Sequence, residues 1–299
     1  MRRLMICLVL TVCVLTATAQ AQQDFGKVEI RVQQVAGNVY MLEGAGGNIG
    51  VSVGSDGVLI IDDQFAPLAD KIRAALKSIN PGPLKFVLNT HWHGDHTGSN
   101  PIFGREAAII AHDNVRRRLT GELKPATGNQ TAPPMAAAGL PVVTYAQSVS
   151  VHFNGEEISV THFPKGHTDG DSVMYFTRSN VAHLGDDFFT GRFPFVDLNS
   201  GGSVEGLERN IGEVIRMLPA GVRIIPGHGP VSSLDDLKAY HRMLQETIGA
   251  VREQIKRKQP LDAVKKQGLP TKYKDWGTGF INTDRWIETI YNSLSPAAK

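Results

Sequence analysis

The densest chemistry in this chain lies in one short run, His91-Trp92-His93-Gly94-Asp95-His96. Imidazole nitrogens suit zinc and its neighbours, and a carboxylate mixed among them marks catalytic rather than structural metal sites. On one helix His91 and His93 would point to different faces, whereas on a turn after a strand all four side chains can converge. Gly94 is read as the residue that lets the backbone bend there. Three more ligand candidates follow, in Gly166-His167-Thr168, Gly185-Asp186-Asp187 and Pro226-Gly227-His228-Gly229. Each comes after a predicted strand and is flanked by glycine, the way a rigid sheet presents side chains at its edge. Together His91, His93, Asp95, His96, His167, Asp186 and His228 are enough for two metal ions with positions left open for water and substrate. A register slip could exchange Asp186 for Asp187, and His183 lies close by in sequence. His112, His152, His162, His183 and His241 lack ligand partners and are read as surface or core residues, and Asp169 and Asp171 as shaping the loop after His167.

The elements that must position these residues are strands joined by tight turns. Val28 to Val32, Val39 to Glu43, Ile49 to Val53 and Val58 to Asp62 are rich in β-branched residues, with Gly46-Gly47 and Asp56-Gly57 between them. Helical spacing predicts a helix over 65–79, stopping before Pro81-Gly82. A short strand at 86–89 leads straight into the histidine cluster, followed by a helix from about Gly98, a strand at 107–111 and a helix at 113–119. The theme returns in strands at 149–153, 158–163, 172–177 and 181–184, a helix at 204–218, a strand at 222–226 and a long helix over 234–258. Strands then helix, twice over, predict an α/β (α+β) fold built as a four-layer αββα sandwich of two similar halves, with the metal site at one edge and a C-terminal helical segment from about 234. Residues 121–141, rich in Pro, Ala, Gly, Thr and Asn, are either a lid over the site or an inert loop.

The N-terminus has the pattern of an export signal. Arg2-Arg3 precede an apolar run from Leu4 to Leu15, and Ala19-Gln20-Ala21 has the form of a cleavage site, so cleavage is expected after Ala21. The run is shorter than the roughly 20 apolar residues of a spanning helix, so no membrane attachment is expected after cleavage. Residues 22–299 then form one domain in the periplasm or outside the cell. Both cysteines, Cys7 and Cys13, lie in the removable segment, leaving no thiolate ligand and no disulfide. Of the 31 lysines and arginines two also lie there, leaving 29 against 29 acidic residues. A neutral chain gives no electrostatic reason to expect a nucleic acid or an anionic membrane as partner, and a small-molecule substrate is expected instead.

The ordered set of Asp62, the HxHxDH cluster, His167, Asp186 and His228 resembles the metallo-β-lactamase superfamily, over roughly residues 28 to 240. The resemblance implies that His91, His93 and His167 hold a first metal and Asp95, His96 and His228 a second. Asp186 would bridge the two, and Asp62 would brace the cluster loop without touching metal. It further implies two zinc ions, or another divalent pair, sharing a hydroxide that attacks a carbonyl, with Asp95 orienting that hydroxide. The flanks Thr90–Gly98 and Gly166–Asp171 are similar to those of true β-lactamases. The best-known lactamase subclass, however, has cysteine in place of Asp186 and a lysine three residues later, where this chain has Phe189. An oxygen ligand there is similar to glyoxalase II and the lactonases, and a redox di-iron branch carries Glu in place of His93. The expectation is an exported di-zinc hydrolase of a cyclic amide or ester, β-lactam favoured. Alternatives are a lactonase such as an acyl-homoserine lactonase, a thioester or phosphodiester hydrolase, and a non-enzymatic metal-binding protein. Phe189 and Arg192 are candidate substrate contacts. Phe188, Phe189, Phe193 and Phe195 are read as core packing or as a pocket wall, and Trp276, Phe280, Trp286 and Tyr291 as packing the C-terminal segment on the sandwich.

Overall fold

The computed structural model describes residues 24–126 and 133–295. The expected export signal and residues 127–132 of the 121–141 segment lie outside these. The first sheet runs β1 (Arg31–Ala36), β2 (Val39–Glu43), β3 (Ile49–Gly54), β4 (Gly57–Ile61), β5 (Leu84–Leu88), β6 (Ala108–His112) and β7 (Val143–Tyr145), in that spatial order. Its first four strands form an antiparallel meander, and β4 to β7 are parallel. The second sheet is ordered β13 (Ser232–Ser233), β12 (Arg223–Ile225), β11 (Val181–His183), β10 (Ser172–Phe176), β9 (Glu156–His162), β8 (Ser148–Phe153). Within it only β11 and β12 are parallel.

The alternation of side chains along each strand explains why four layers form. In β4, Leu59 and Ile61 enter the core between the sheets, while Val58 and Ile60 pack outward with Ile72 and Leu76 of helix α1 (Ala69–Ile79). In the second sheet Met174, Phe176 and Ile225 face that same central core. Val173 and Ile224 face the other way, toward helices α5 (Val204–Met217), α6 (Leu234–Lys256) and α8 (Thr283–Leu294). Strands buried on both faces need apolar residues at every position, which is how β4 reads. The αββα sandwich is thus observed, with the C-terminal helices forming an outer layer with α5. Trp286 of α8 is fully buried there, its indole N–H donating to the Thr247 hydroxyl at 3.1 Å. No helix among the described residues is long and apolar enough to cross a membrane.

Several boundaries differ from expectation. The first strand is 31–36 rather than 28–32, because its register is set by the tight turn at Gly37, where φ is 54°. The predicted 65–79 helix begins as a 3₁₀ turn, Ala66–Leu68, before α1. The helix expected from Gly98 is two short ones, α2 (Gly94–Thr97), which starts inside the cluster, and α3 (Asn100–Phe103). Pro101 separates them, since its ring would clash with the carbonyl of Thr97 and it has no N–H to donate there. Gly94 is not a special bend: its φ is not positive, and a Cβ there would meet nothing within 4 Å. Helix α4 (Asp113–Leu119) is where the spacing puts it, and α7 (Leu261–Gln267) joins the C-terminal layer. The described part of the 121–141 segment is pinned to the body, with the Met135 amide donating to the Leu119 carbonyl and Met135 and Leu140 packed against the buried cluster of Ala111, Val115 and Leu119.

Candidate metal centre

The side chains singled out in the sequence meet where the parallel pairs β4/β5 and β11/β12 end. Asp62 follows β4, the His91–His93 loop follows β5, Asp186 lies in the 3₁₀ turn Gly185–Asp187 after β11, and His228 follows β12. His167 comes from the loop between β9 and β10. Hydrogen bonds tie the two halves together at this edge. Asn48, buried in the turn before β3, donates its side-chain amide to Pro226 O (3.0 Å) and Gly229 O (2.8 Å) and its main-chain N–H to Gly227 O. The Ser172 amide donates to Thr90 O at 2.9 Å. The approach is close enough that a side chain at Gly47 would overlap the His96 ring, and one at Gly227 would overlap Asp186.

Two groups form. His91, His93, His167 and Asp186 offer ligand atoms to one point, and Asp95, His96 and His228 to a second. In the first, His93 Nδ1 lies 3.1 Å from His91 Nε2 and 2.8 Å from His167 Nε2, with Asp186 Oδ2 3.6 Å from the latter. In the second, Asp95 Oδ2 lies 3.6 Å from His96 Nε2 and 3.3 Å from His228 Nε2. The other oxygen of Asp186, Oδ1, is 3.1 Å from His96 Nε2 and 3.4 Å from His228 Nε2. One carboxylate therefore faces both groups, one oxygen to each.

The outer nitrogens decide what the inner ones can do. His167 Nδ1 donates to the Phe195 carbonyl at 2.7 Å, His93 Nε2 to Asp197 at 3.0 Å and His96 Nδ1 to Asp62 at 2.7 Å. Thr90 spends its single hydroxyl proton on Asp62, so its oxygen accepts from His91 Nδ1 at 3.0 Å. With a proton fixed on each outer atom of His91, His93 and His167, the inner nitrogens of these three rings face one another at hydrogen-bonding distance as lone pairs with no hydrogen between them. His96 Nε2 and Asp186 Oδ1, although 3.1 Å apart, are not aligned for a hydrogen bond and are buried without a partner. Converging lone pairs and orphaned buried ligand atoms call for cations, and this nitrogen-and-oxygen set fits divalent ions.

Charge is distributed unevenly between the groups. Burial holds His167 down to about 4, against the opposing pull of Asp186, and burial together with His96 and His167 holds His91 well below the ordinary imidazole value. Burial also works against charge on His96 and His228, but Asp186 with Asp95 outweighs it. His96 is held well above its ordinary value and His228 is raised to about 9. Burial opposes ionisation of Asp186 and Asp95 as well, and is outweighed by the charges of His96 and His228, so both carboxyls lie below the usual range.

Asp62 accepts from the Thr90 N–H (2.8 Å), the Thr90 hydroxyl and His96. It does so from a left-handed backbone, φ 63°, a conformation that costs a non-glycine residue roughly 1–2 kcal/mol. Asp187 faces away from the ligands, accepting the His167 amide at 3.1 Å, so Asp186 and not Asp187 meets the histidines. His183 makes structural contacts only: its Nε2–H donates to Asn48 O at 3.0 Å and its Nδ1 accepts the Gly185 amide at 3.2 Å. His112 and His162 stack on each other with centroids 3.6 Å apart, and His241 pairs with Glu208 at 2.8 Å. Asp171 caps the loop after His167 through Thr168, and Asp169 grips Arg118 through two bonds of 2.7 Å.

Above the ligands opens a cavity of about 620 Å³, reached by His93, Asp95, Asp186 and His228. The phenylalanines after Asp186 divide between two roles. Phe188 and Phe193 are buried in the core, although Phe193 also reaches the cavity, whereas Phe189 and Phe195 are partly exposed and form its wall. Phe189 stacks on the His228 ring with centroids 5.2 Å apart. Arg192 is exposed at the cavity. Phe280, expected to pack the C-terminal segment, is instead 76% exposed and lines the mouth with Ile281. No described residue of 121–141 lines it. Asp197 was not legible in the sequence. Its carboxylate also accepts from the Asn199 and Ser200 amides, so it reads as an ordinary turn cap.

The fold and this centre define a class: the chain belongs to the metallo-beta-lactamase superfamily, whose model matches residues 33–228. Among curated proteins it is 29% identical to the 2,4-dinitroanisole O-demethylase subunit alpha of Nocardioides sp. (strain JS1661), over 46% of this chain and 40% of that protein. It is 28% identical to "Probable metallo-hydrolase YqgX" of Bacillus subtilis, over 58% of this chain and 83% of that one. It is 30% identical to the hydroxyacylglutathione hydrolase of Nitrosococcus oceani, over 48% and 47% respectively. The chain thus spans less than half the length of two of these three relatives. Solved structures share the fold. A metallo-beta-lactamase from Pontibacter korlensis matches with a TM-score of 0.61 at 17% identity, over 73% of this chain and 99% of that one. A double mutant of the sec-alkyl sulfatase PisA1 matches with 0.68 at 13% identity, over 90% and 51%.

Proposed function

We propose that this protein is an exported, metal-dependent hydrolase that binds two zinc ions and opens a cyclic amide or ester in a small molecule, a β-lactam first and a lactone second. The observation that carries the reading is the placement of Asp186, with one oxygen toward each ligand group at the floor of an open cavity. His91, His93 and His167 would hold one ion, Asp95, His96 and His228 the other, and Asp186 both. When bound, such a pair supplies a water acidic enough to attack near neutral pH and an electrophile for a carbonyl oxygen. The chain's own groups do the rest. Asp95, 28% exposed at the cavity, is ionised and can orient the attacking water and accept its proton. A substrate seated against the apolar wall would displace water from the cavity and so strengthen each of these charge interactions. Export is supported by Arg2-Arg3, the apolar run to Leu15 and Ala19-Gln20-Ala21.

Chelator-treated protein is expected to lose turnover and zinc to restore it; full activity in metal-free protein would sink the reading. The substrate is tested with nitrocefin, penicillins, carbapenems, acyl-homoserine lactones, a thioester and a phosphodiester, each with and without zinc. A second reading, an ester or thioester hydrolase, is favoured by the oxygen ligand Asp186 and by the hydroxyacylglutathione hydrolase relative. Turnover of lactones alone would put the lactone in place of the β-lactam, and turnover of the thioester alone would put the second reading in place of the first.

A further inference from the structure

The C-terminal segment lies beyond the part of the chain that matches the family model, yet it reaches the cavity through Phe280 and Ile281. Phe280 is the most exposed large hydrophobic residue among those described, at 76%. Its position is nevertheless built. The Arg285 guanidinium lies over its ring, 4.9 Å from the centroid, and Phe195 meets it edge-on at 6.4 Å. Both supports are anchored. Arg285 stands in the first turn of α8, capped by Asn282 through the Arg285 amide and followed by the buried Trp286. Phe195 packs 5.7 Å from the His167 ring and its carbonyl accepts that ring's Nδ1–H. A continuous aromatic contact therefore runs from a metal-facing histidine to the cavity mouth. Beside it, Arg192 lies along Gly279, where an added Cβ would come 3.0 Å from its Cδ. Its guanidinium has no hydrogen-bond or ion-pair partner among the described residues.

We infer that Phe280 is a specificity-determining residue: with Phe189 and Phe195 it receives a flat aromatic substituent of the substrate, while Arg192 meets an anionic group at the same mouth. An exposed ring held by a cation on one face and an edge contact beside it keeps its remaining face free for stacking, and aromatic rings prefer such offset or edge-on partners to an aliphatic chain of equal area. An isolated exposed Phe needs no explanation, but one that continues the wall of the reaction cavity does. The inference rests on the hydrolase reading for its substrate but not for its binding site.

The test uses the zinc-loaded full chain and two measurements. In the first, 8-anilinonaphthalene-1-sulfonate, an aryl sulfonate, is titrated by fluorescence. Phe280→Ala is expected to weaken binding by about tenfold, Phe280→Trp to retain it, and Arg192→Ala to weaken it several-fold, with some dependence on salt. In the second, kcat/KM is compared for substrates sharing one scissile bond and bearing acetyl, hexanoyl or phenylacetyl groups. The phenylacetyl-to-acetyl preference is expected to fall by about tenfold in Phe280→Ala, mainly through KM, and the hexanoyl-to-acetyl preference to fall less. Equal dye affinity in Phe280→Ala and the parent, or equal loss for the hexanoyl and phenylacetyl substrates, overturns the inference. Phe280-dependent dye binding with no turnover of any substrate leaves the aryl site standing and removes the hydrolase reading.

Discussion

The two ligand groups differ in what stands behind them. In the first, every outer nitrogen has its own acceptor: the Thr90 hydroxyl, the Asp197 carboxylate and the Phe195 carbonyl. Burial keeps His91 and His167 neutral, so their lone pairs are free when a metal arrives. In the second, His96 is braced by Asp62, but His228 is 25% exposed, has no described partner on Nδ1 and leans on Phe189. Without metal, Asp186 and Asp95 draw protons onto His96 and His228 in place of a cation. The first group is preorganised for metal, while the second must give up protons to receive it. Two ligand groups sharing one carboxylate would thus differ in metal affinity through their supports alone.

Both groups depend on Asp186. Asp186→Ala is expected to lower the metal content of both groups and to cut turnover by on the order of 10²–10³, read by elemental analysis beside kcat. A variant that still holds two ions would show that another residue makes the link. Next, His228→Ala should remove one ion and leave the first group loaded, whereas His167→Ala should weaken the group on which the site's rigidity depends. Equal losses from the two variants would mean that the two groups hold metal equally well.

The supports come third. Asp197→Asn is expected to weaken metal binding at the first group by about 10–100-fold, and Asp62→Asn to do so at the second, as measured by competition with a chromophoric chelator. If Asp197→Asn binds both ions as the parent does, its bond to His93 is incidental.

The smallest effects are those of pH. Lowering the pH from about 9 to about 5 should release the second-group ion before the first, because protons compete on His228 and His96 while His167 stays neutral until about 4. Proton release on zinc addition, followed in weak buffer, reads the same difference. For the metal-free protein the sign is opposite. The folded value of His228, about 9, lies above its ordinary 6.5, so its contribution to stability is complete below about pH 6.5 and lost as pH rises through 9. Denaturant midpoints across that range that do not fall would contradict the charge placement around His228.

Much of the centre was legible because metal chemistry restricts residue type. Few side chains besides His and Asp can do the work, so the cluster at 91–96 and the glycine-flanked His167, Asp186 and His228 stand out in one dimension. The αββα order was legible for a similar reason: strands covered on both faces, such as β4, must be apolar throughout. Asp197 was hidden because its capping of a turn accounts for it fully in sequence. Phe280 was hidden because an aromatic in a helical tail reads as core, and only its place at the cavity mouth shows otherwise.

By itself the sequence determined the kinds of ligand, their order and the sheets that carry them, since these depend on local composition and period. Tertiary structure alone decided that Asp186 turns one oxygen to each ligand group while Asp187 accepts the His167 amide, and that Asp95 and His96 share a one-turn helix begun at Gly94. It also decided that the outer atoms of His91, His93, His96 and His167 are held by residues as far away as Asp197. Hydrogen bonds between segments a hundred residues apart leave no periodic trace in the chain, yet they fix which nitrogen carries the proton and so which one can bind a metal.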